Sequence, residues 1–238
     1  MENNIRPFDI AKRLNVSTST LRSYETRGII PATKRLCSGY RIYTEEHLAY
    51  FECIVAMSPG FGMEITTAVL KKLQQKNLNS ALWIINETQT ANYQEKELAT
   101  RIIKDLNNIV YFQSIANNLM TIGEAANKAK ISTSTIRYWE KEGYVTSKRG
   151  ENNYRYFNSY QFIKILLMKL TQNAVYSHEI VQLKKSIRNL EEFNIEGAKS
   201  IAEECQQHLN KRNQEQLRGL YFLYRLCAKI GLKLLRKY

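Results

Sequence analysis

The chain repeats itself once, over a long interval. Residues 17–30 read STSTLRSYETRGII and residues 132–145 read STSTIRYWEKEGYV, with seven of the 14 positions identical at a lag of 115. Leu21/Ile136, Tyr24/Trp139 and Ile30/Val145 are similar pairs. The match resumes at a lag of 114, where SGYRIY (38–43) faces NNYRYF (152–157), and its upstream edge sets Phe8-Asp9-Ile10-Ala11 against Gly123-Glu124-Ala125-Ala126. Solenoid repeats recur every 20–50 residues or so. This lag is too long for one, and it implies two copies of a whole domain, near 1–76 and 121–190, in a chain of 238 residues.

Each copy has a local grammar. Ile10, Ala11 and Leu14 form an apolar stripe suited to a short helix over Phe8 to Leu14. Asn15-Val16-Ser17 reads as a brief turn with Ser17 in the N-cap position, and the next helix runs through Leu21 and Tyr24 to a stop at Gly28. Copy two reads as a helix from Glu124 to Lys130, a turn at Ile131-Ser132, and a helix from Thr133 to Glu142 before Gly143. Two short helices joined by such a turn are a helix-turn-helix. A hairpin signal follows in each copy, with Lys34, Arg35 and Ser38-Gly39 ahead of Tyr40-Arg41-Ile42-Tyr43, and Lys148-Arg149-Gly150 ahead of Tyr154-Arg155-Tyr156-Phe157. Further helices start after Thr44 and Asn158, then shorter amphipathic ones over Glu64–Leu73 and Glu179–Leu190. Each module is therefore expected to be a winged helix-turn-helix.

The pattern ST-x-T-[LI]-R-x-[YW]-E-x-x-G-x-[IV], followed by [GN]-Y-R-x-[YF], resembles the DNA-binding domain of the MerR (mercury-resistance regulator) family. The resemblance covers both modules, roughly 140 of the 238 residues. It implies binding of double-stranded DNA; activators of the family distort promoter spacer DNA so that RNA polymerase can engage it as a partner, and activation and repression both stay open for this chain. In one respect the copies depart from the family. Two aromatics usually precede the Glu; copy two has Tyr138-Trp139, whereas copy one has Ser23-Tyr24.

The residue chemistry agrees with a DNA ligand. Ser17, Thr18, Ser19 and Thr20, and likewise Ser132, Thr133, Ser134 and Thr135, place hydroxyls at a helix N-terminus, within reach of phosphates or base edges. Arg22 and Arg137 lie one turn further in, and Tyr24 and Tyr138 are the aromatic candidates that the resemblance adds. Lys34, Arg35, Tyr40, Arg41, Lys148, Arg149, Tyr154 and Arg155 decorate the two wings, where cations set affinity and register. Structural roles compete at each place. Ser-Thr runs before helices serve as plain N-caps, Tyr40 and Tyr154 suit strand packing, and Arg22 and Arg137 suit ion pairs with Glu25 and Glu140. Recurrence of all three features at matched spacing favours the functional reading.

Charge points the same way. The formal net charge is +13. Residues 1–44 hold 8 basic and 3 acidic side chains and residues 121–160 hold 7 and 4, whereas 45–120 hold 6 and 8. The surplus of the first two-thirds thus sits in the modules, as a phosphate-binding footprint should. The last segment, 161–238, holds 14 and 7. Cys37, Cys53, Cys205 and Cys227 are scattered without a CxxC pair, and His47, His178 and His208 are dispersed, so neither a zinc site nor a disulfide framework is expected. No signal peptide opens the chain, and the longest uncharged stretch, Leu106 to Gly123, carries four Asn and cannot span a bilayer. A cytoplasmic protein with reduced thiols follows. No nucleophile, phosphate-loop or metalloprotease motif is present, so neither an enzyme nor a cofactor is expected.

Residues 80–118 lack Pro and Gly, and Ile84, Ala91, Leu98, Ile102, Leu106 and Ile109 recur as a helix seam interrupted by Thr88 and Glu95. Residues 196–236, which do contain glycines, carry a similar seam, with Ile201, Cys205, Leu209, Leu220, Tyr224, Cys227, Ile230 and Leu234 on one side. The fold class expected is mainly α: two winged helix-turn-helix modules (1–76 and 121–190), each followed by a long helix (77–120 and 191–238), the long helices pairing as an antiparallel coiled coil. In MerR-like homodimers such helices join two subunits, so one chain here is expected to form a covalent pseudo-dimer with two heads on an imperfect inverted repeat. A homodimer with four heads remains open. The tail carries Arg218, Arg225, Lys229, Lys233 and Arg236 near one face and is apolar elsewhere, which suits a packed helix better than a membrane-surface one. Only two residues follow the second long helix, so no C-terminal ligand domain is expected. The functional reading is a transcriptional regulator, with an excisionase-like architectural protein and a membrane-surface scaffold as its rivals.

Overall fold

The computed structural model describes residues 4–37, 39–108, 119–151 and 153–232. Ser38, Ile109, Asn152, Lys233, Leu234 and Arg236, all invoked above, lie outside them. The chain divides into two compact units, residues 1–91 with 211–238, and residues 92–210.

In the first unit, Pro7 opens α1 (Pro7–Leu14), where its missing N–H costs nothing, and Asn15 closes it in the left-handed region at φ 52°. Ser17 caps α2 (Thr18–Thr26) by accepting from the Thr20 N–H, and Gly28 at φ 65° lets the chain leave the helix. The wing pairs β1 (Lys34–Arg35) with β2 (Arg41–Ile42) antiparallel, Lys34 opposite Ile42 and Arg35 opposite Arg41. Ile5 bridges Tyr43 beside it. Thr44 and His47 form a reciprocal capping box at the start of α3 (Glu45–Gln74). Gly62, at φ 78° and ψ 161°, breaks that element into the two helical stretches that the sequence pattern anticipates. By length and composition α3 could cross a bilayer, yet half of the qualifying stretch is buried inside the protein.

Leu21, Tyr24, Tyr43, Phe51 and Leu70 centre the core of this unit. Two long helices finish it: Ala81 and Ile85 from α4 (Leu78–Leu106), and Leu223, Leu226 and Cys227 from α9 (Ile195–Lys229). α9 approaches α3 so closely that a Cβ on Gly60 would sit 2.5 Å from the backbone N of Gln216, and one on Gly219 3.0 Å from the Cα of Met57. The Gln216 side-chain amide donates to the Gly60 carbonyl at 3.1 Å.

The second unit repeats the plan with one more strand. β3 (Met120–Thr121), β4 (Lys148–Arg149) and β5 (Arg155–Phe157) form an antiparallel sheet in the order β3-β5-β4. A Thr121–Glu124 capping box starts α5 (Ile122–Ala129), and Ser132 caps α6 (Thr133–Lys141). Asn158 caps α7 (Ser159–Leu170) and Ser177 caps α8 (His178–Asn189). The core gathers Ile136, Trp139, Val145, Phe157 and Ile165 with Ala99, Ile102 and Leu106 of α4 and Ala198, Ile201, Cys205 and Leu209 of α9.

The protein is thus mainly α, with two winged helix-turn-helix modules and long helices that pack against each other. Gln206 of α9 donates to the Thr100 hydroxyl of α4 at 3.1 Å. The buried line of α4 runs through Ala81, Ile85, Asn92, Glu95, Ala99, Ile102 and Leu106, so half of it lies one residue beyond the seam expected from Ile84, Ala91 and Leu98, which are only half-buried. Small Ala81 and Ala99 are fully buried on this line. Tyr224 likewise leaves the expected seam for solvent, while Leu223 and Leu226 take the packed positions. Cys53, Cys205 and Cys227 are buried packing residues. Burial pushes the Cys205 thiol up to about 12 and Cys227 up to about 11.

Gly60→Ala should overpack the α3–α9 contact, because the atom that its Cβ meets is backbone. The expected loss is about 1–3 kcal/mol, visible as a lower midpoint in thermal or urea unfolding.

Candidate nucleic-acid interface

Each helix-turn-helix presents its second helix, α2 or α6, with the same side chains outward. Arg22 and Arg137 are exposed, as are Ser17, Ser19, Ser132 and Ser134, while Thr18, Thr20, Thr133 and Thr135 are half-buried. The capping reading is realised at Ser17 and Ser132. The Ser17 hydroxyl accepts from the Thr20 N–H at 3.0 Å and lies 2.6 Å from the Ser19 hydroxyl. For Ser132 the corresponding distances, to the Thr135 N–H and the Ser134 hydroxyl, are 3.1 and 2.7 Å. These two serines therefore organise the helix start, and Ser19 and Ser134 stand next to them on the exposed side.

On the wings Lys34, Arg35, Lys148 and Arg149 are exposed. Tyr40 and Tyr154 keep 72% and 61% of their surface in solvent, which removes the strand-packing alternative. Pro7, Arg22, Gly39, Tyr40, Arg41 and Tyr43 line a cleft between the recognition helix and the wing of the first module. Tyr24 lies elsewhere. It is buried against Phe51 with ring centroids 6.3 Å apart, as Trp139 is buried in the second module, so it stands apart from the exposed set. Tyr138, one position earlier, is 58% exposed.

The glutamates of the repeated motif do hold arginines, but not the ones that the sequence suggested. Arg41 of the wing, rather than Arg22, donates from Nε to Glu25 at 2.5 Å, and Arg155, rather than Arg137, donates to Glu140 at 2.6 Å. The second carboxylate oxygen is taken by Thr33 at 2.6 Å in one copy and by Ser147 in the other. Each glutamate thus latches the returning wing strand to the recognition helix. Burial raises both carboxyls, but the hydroxyl and guanidinium bonds outweigh it and hold them below the ordinary range. A second tie fastens the other end of each recognition helix. Gln74 donates to the Gly28 carbonyl at 3.2 Å, and Arg188, 114 residues on, donates to the Glu142 carbonyl at 2.6 Å. The Arg188 guanidinium also lies 5.7 Å from the Tyr144 ring centroid. Sequence reasoning missed these four anchors, although Glu25/Glu140 and Thr33/Ser147 recur at the lags of the repeat.

Among the described residues no group of three or more His, Cys, Asp or Glu could hold a metal ion. The interface is one of hydroxyls, guanidiniums, ammoniums and exposed tyrosines, doubled.

This arrangement defines a tandem winged helix-turn-helix protein. Residues 9–43 and 121–157 each match the model of the MerR family regulatory proteins. A ZntR homolog of Haemophilus influenzae, named as an HTH-type transcriptional regulator, is 31% identical over 93 residues, 39% of this chain and 67% of the relative. The regulator YfmP of Bacillus subtilis is 29% identical over 79 residues, 32% of this chain and 56% of the relative; AdhR of the same organism is 44% identical over 56 residues, 23% and 40% respectively. The chain belongs to the MerR family. It spans little more than half the length of YfmP. No solved structure matches it significantly.

Glu25→Gln and Glu140→Gln should each loosen one wing at a cost of about 0.5–2 kcal/mol, read as faster amide exchange in residues 34–42 or 148–157. Acid should do the same to both. Because folding depresses these carboxyls, their contribution is complete above the ordinary glutamate value near 4.3 and is lost as pH falls through the folded value.

Proposed function

We propose that the protein is a sequence-specific, double-stranded DNA-binding transcriptional regulator, acting as a covalent pseudo-dimer with two reading heads on an imperfect inverted repeat. The observation that carries the reading is the doubled exposed set: Arg22 with Lys34, Arg35 and Tyr40 in one head, Arg137 with Lys148, Arg149 and Tyr154 in the other. Arginine suits guanine edges and wing cations suit phosphates, so each head combines a base reader with a backbone clamp.

The course of the long helices supports one chain providing both heads. α4 follows the first module, yet Ala99, Ile102 and Leu106 finish the core of the unit that holds the second. α9 follows the second module, yet Leu223, Leu226 and Cys227 finish the core that holds the first. Both long helices thus contribute core residues within one chain. The domain limits proposed from the sequence, modules at 1–76 and 121–190 with pairing helices between and after, fit this use. Regulators named among the relatives make transcription the process served. By family resemblance, RNA polymerase at a distorted promoter is the partner beyond DNA.

Light scattering should give the mass of one chain, and one chain should engage both halves of its duplex. A dimer in which each chain takes one half-site would overturn the pseudo-dimer. Binding-site selection should return two similar, non-identical halves in inverted orientation; a direct repeat would refute that geometry. Arg22→Ala and Arg137→Ala should each cost about 1–3 kcal/mol and relax specificity in one half.

A further inference from the structure

The two heads differ beside their recognition helices. In the second unit a cleft of about 450 Å³ opens along α6, lined by Ser134, Thr135 and Tyr138 of that helix, by Thr171 and Gln172 after α7, and by Lys184 of α8. Among the described residues that line it, Lys184 alone is charged, and no carboxylate is present. The Thr171 hydroxyl is engaged by the Met168 carbonyl at 2.8 Å and that of Thr135 by Ser132, also at 2.8 Å. The Ser134 hydroxyl also meets that of Ser132, at 2.7 Å, so Tyr138, Gln172 and Lys184 are left to give the cleft its donors.

The first head lacks this chemistry at the matching positions. At the lags of the repeat, Ser23 stands for Tyr138, Met57 for Thr171, Ser58 for Gln172 and Leu70 for Lys184. Met57 and Leu70 are fully buried. The aromatic hydroxyl and the cation are therefore additions of the second head, and they occur together.

A recognition helix seated in a major groove brings its flanks to the groove's phosphate walls. A lysine on a flexible stem, with a phenol and an amide beside it and no acid to neutralise it, matches a phosphate better than a base edge. It offers a point charge and single donors, where base reading uses a planar bidentate fork. We propose that this cleft seats a backbone phosphate of duplex DNA, held by Lys184 with Tyr138 and Gln172, and that the second head is thereby the anchoring head of the pair. The inference rests on the DNA-binding reading above and deepens it. It means that the two halves of an operator contribute unequally, for a reason that lies outside the bases.

The test uses the full chain and the duplex returned by site selection, with affinity measured across a salt series. Lys184→Ala should weaken binding to every duplex alike, and should reduce the slope of log affinity against log salt by about 0.9 in magnitude, the share of one phosphate. Lys185→Ala, the exposed neighbour that does not line the cleft, should leave the slope as it is. Tyr138→Ser, which installs the first head's residue, should weaken binding without changing the slope. The effect of Lys184→Ala should persist beside Arg22→Ala and shrink beside Arg137→Ala, since only the latter disengages the second head. If Lys184→Ala matches the parent protein in slope and affinity, or if Lys185→Ala matches Lys184→Ala, the phosphate seat is overturned while the DNA-binding reading stands. If the parent protein selects no duplex at all, both fall.

Discussion

Neither head owns a complete core, and the rest of the structure depends on that shortage. A module of some 70 residues buries too little apolar surface to be secure by itself. Here the deficit is met by the long helices: Leu223, Leu226 and Cys227 close one core, and Ala99, Ile102 and Leu106 enter the other. Leu223 and Leu226 together contribute roughly 3–6 kcal/mol by burial, an upper estimate. That is comparable with the whole net stability of a small domain, about 5–15 kcal/mol. The long helices are therefore structural parts of the heads, and Gly60 and Gly219 are the residues that let α9 come near enough to serve. Any change that displaces α9 is felt in the core beneath a recognition helix.

On that foundation the surface around each second helix and its wing is held by polar ties. Glu25 and Glu140 sit on the recognition helices and reach the wings, and Gln74 and Arg188 reach the opposite helix ends. A wing of two- or three-residue strands has few ladder bonds of its own. Phe157 of β5 and Tyr43 next to β2 anchor the base of each returning strand in a core, and the latch ties the strand to the helix two residues earlier. The latch ions are neither fully exposed nor fully buried, which keeps both the screening by water and the desolvation cost moderate. The ties leave a set of cations and tyrosines exposed: Arg22, Arg137, Tyr40, Tyr154 and the wing lysines.

Much of this was legible in the chain. The repeat located both modules, and Ser17, Gly28, Ser132 and Gly143 marked the helix limits because caps and left-handed stops are local chemistry. Long-range pairing was not legible. The motif glutamate looked like a partner for the arginine three residues earlier, since a helix surface brings such pairs together. Choosing Arg41 instead requires knowing that the wing folds back over α2. Tyr24 read as a ligand residue by analogy, and its burial became clear only from the contact with Phe51. The seam of α4 was misjudged along half its length for a related reason. Apolar periodicity favours large residues, whereas the buried line here includes Ala81, Ala99 and the polar Asn92 and Glu95.

Joining two heads in one chain also frees each to change. In a symmetric dimer every substitution appears in both halves, so an added cation strengthens both half-sites alike. Here Ser23 faces Tyr138, Leu70 faces Lys184 and Gln74 faces Arg188 across the repeat, while the shared STST-[LI]-R start is retained. On the proposed reading, the shared start keeps the two halves similar in what they would read at the helix entry. The divergent positions lie along the flank and at the far end of the second helix of each module. On the proposed reading, an operator nearly palindromic in bases would still be held more firmly at one side, which would give a single molecule a fixed direction on DNA.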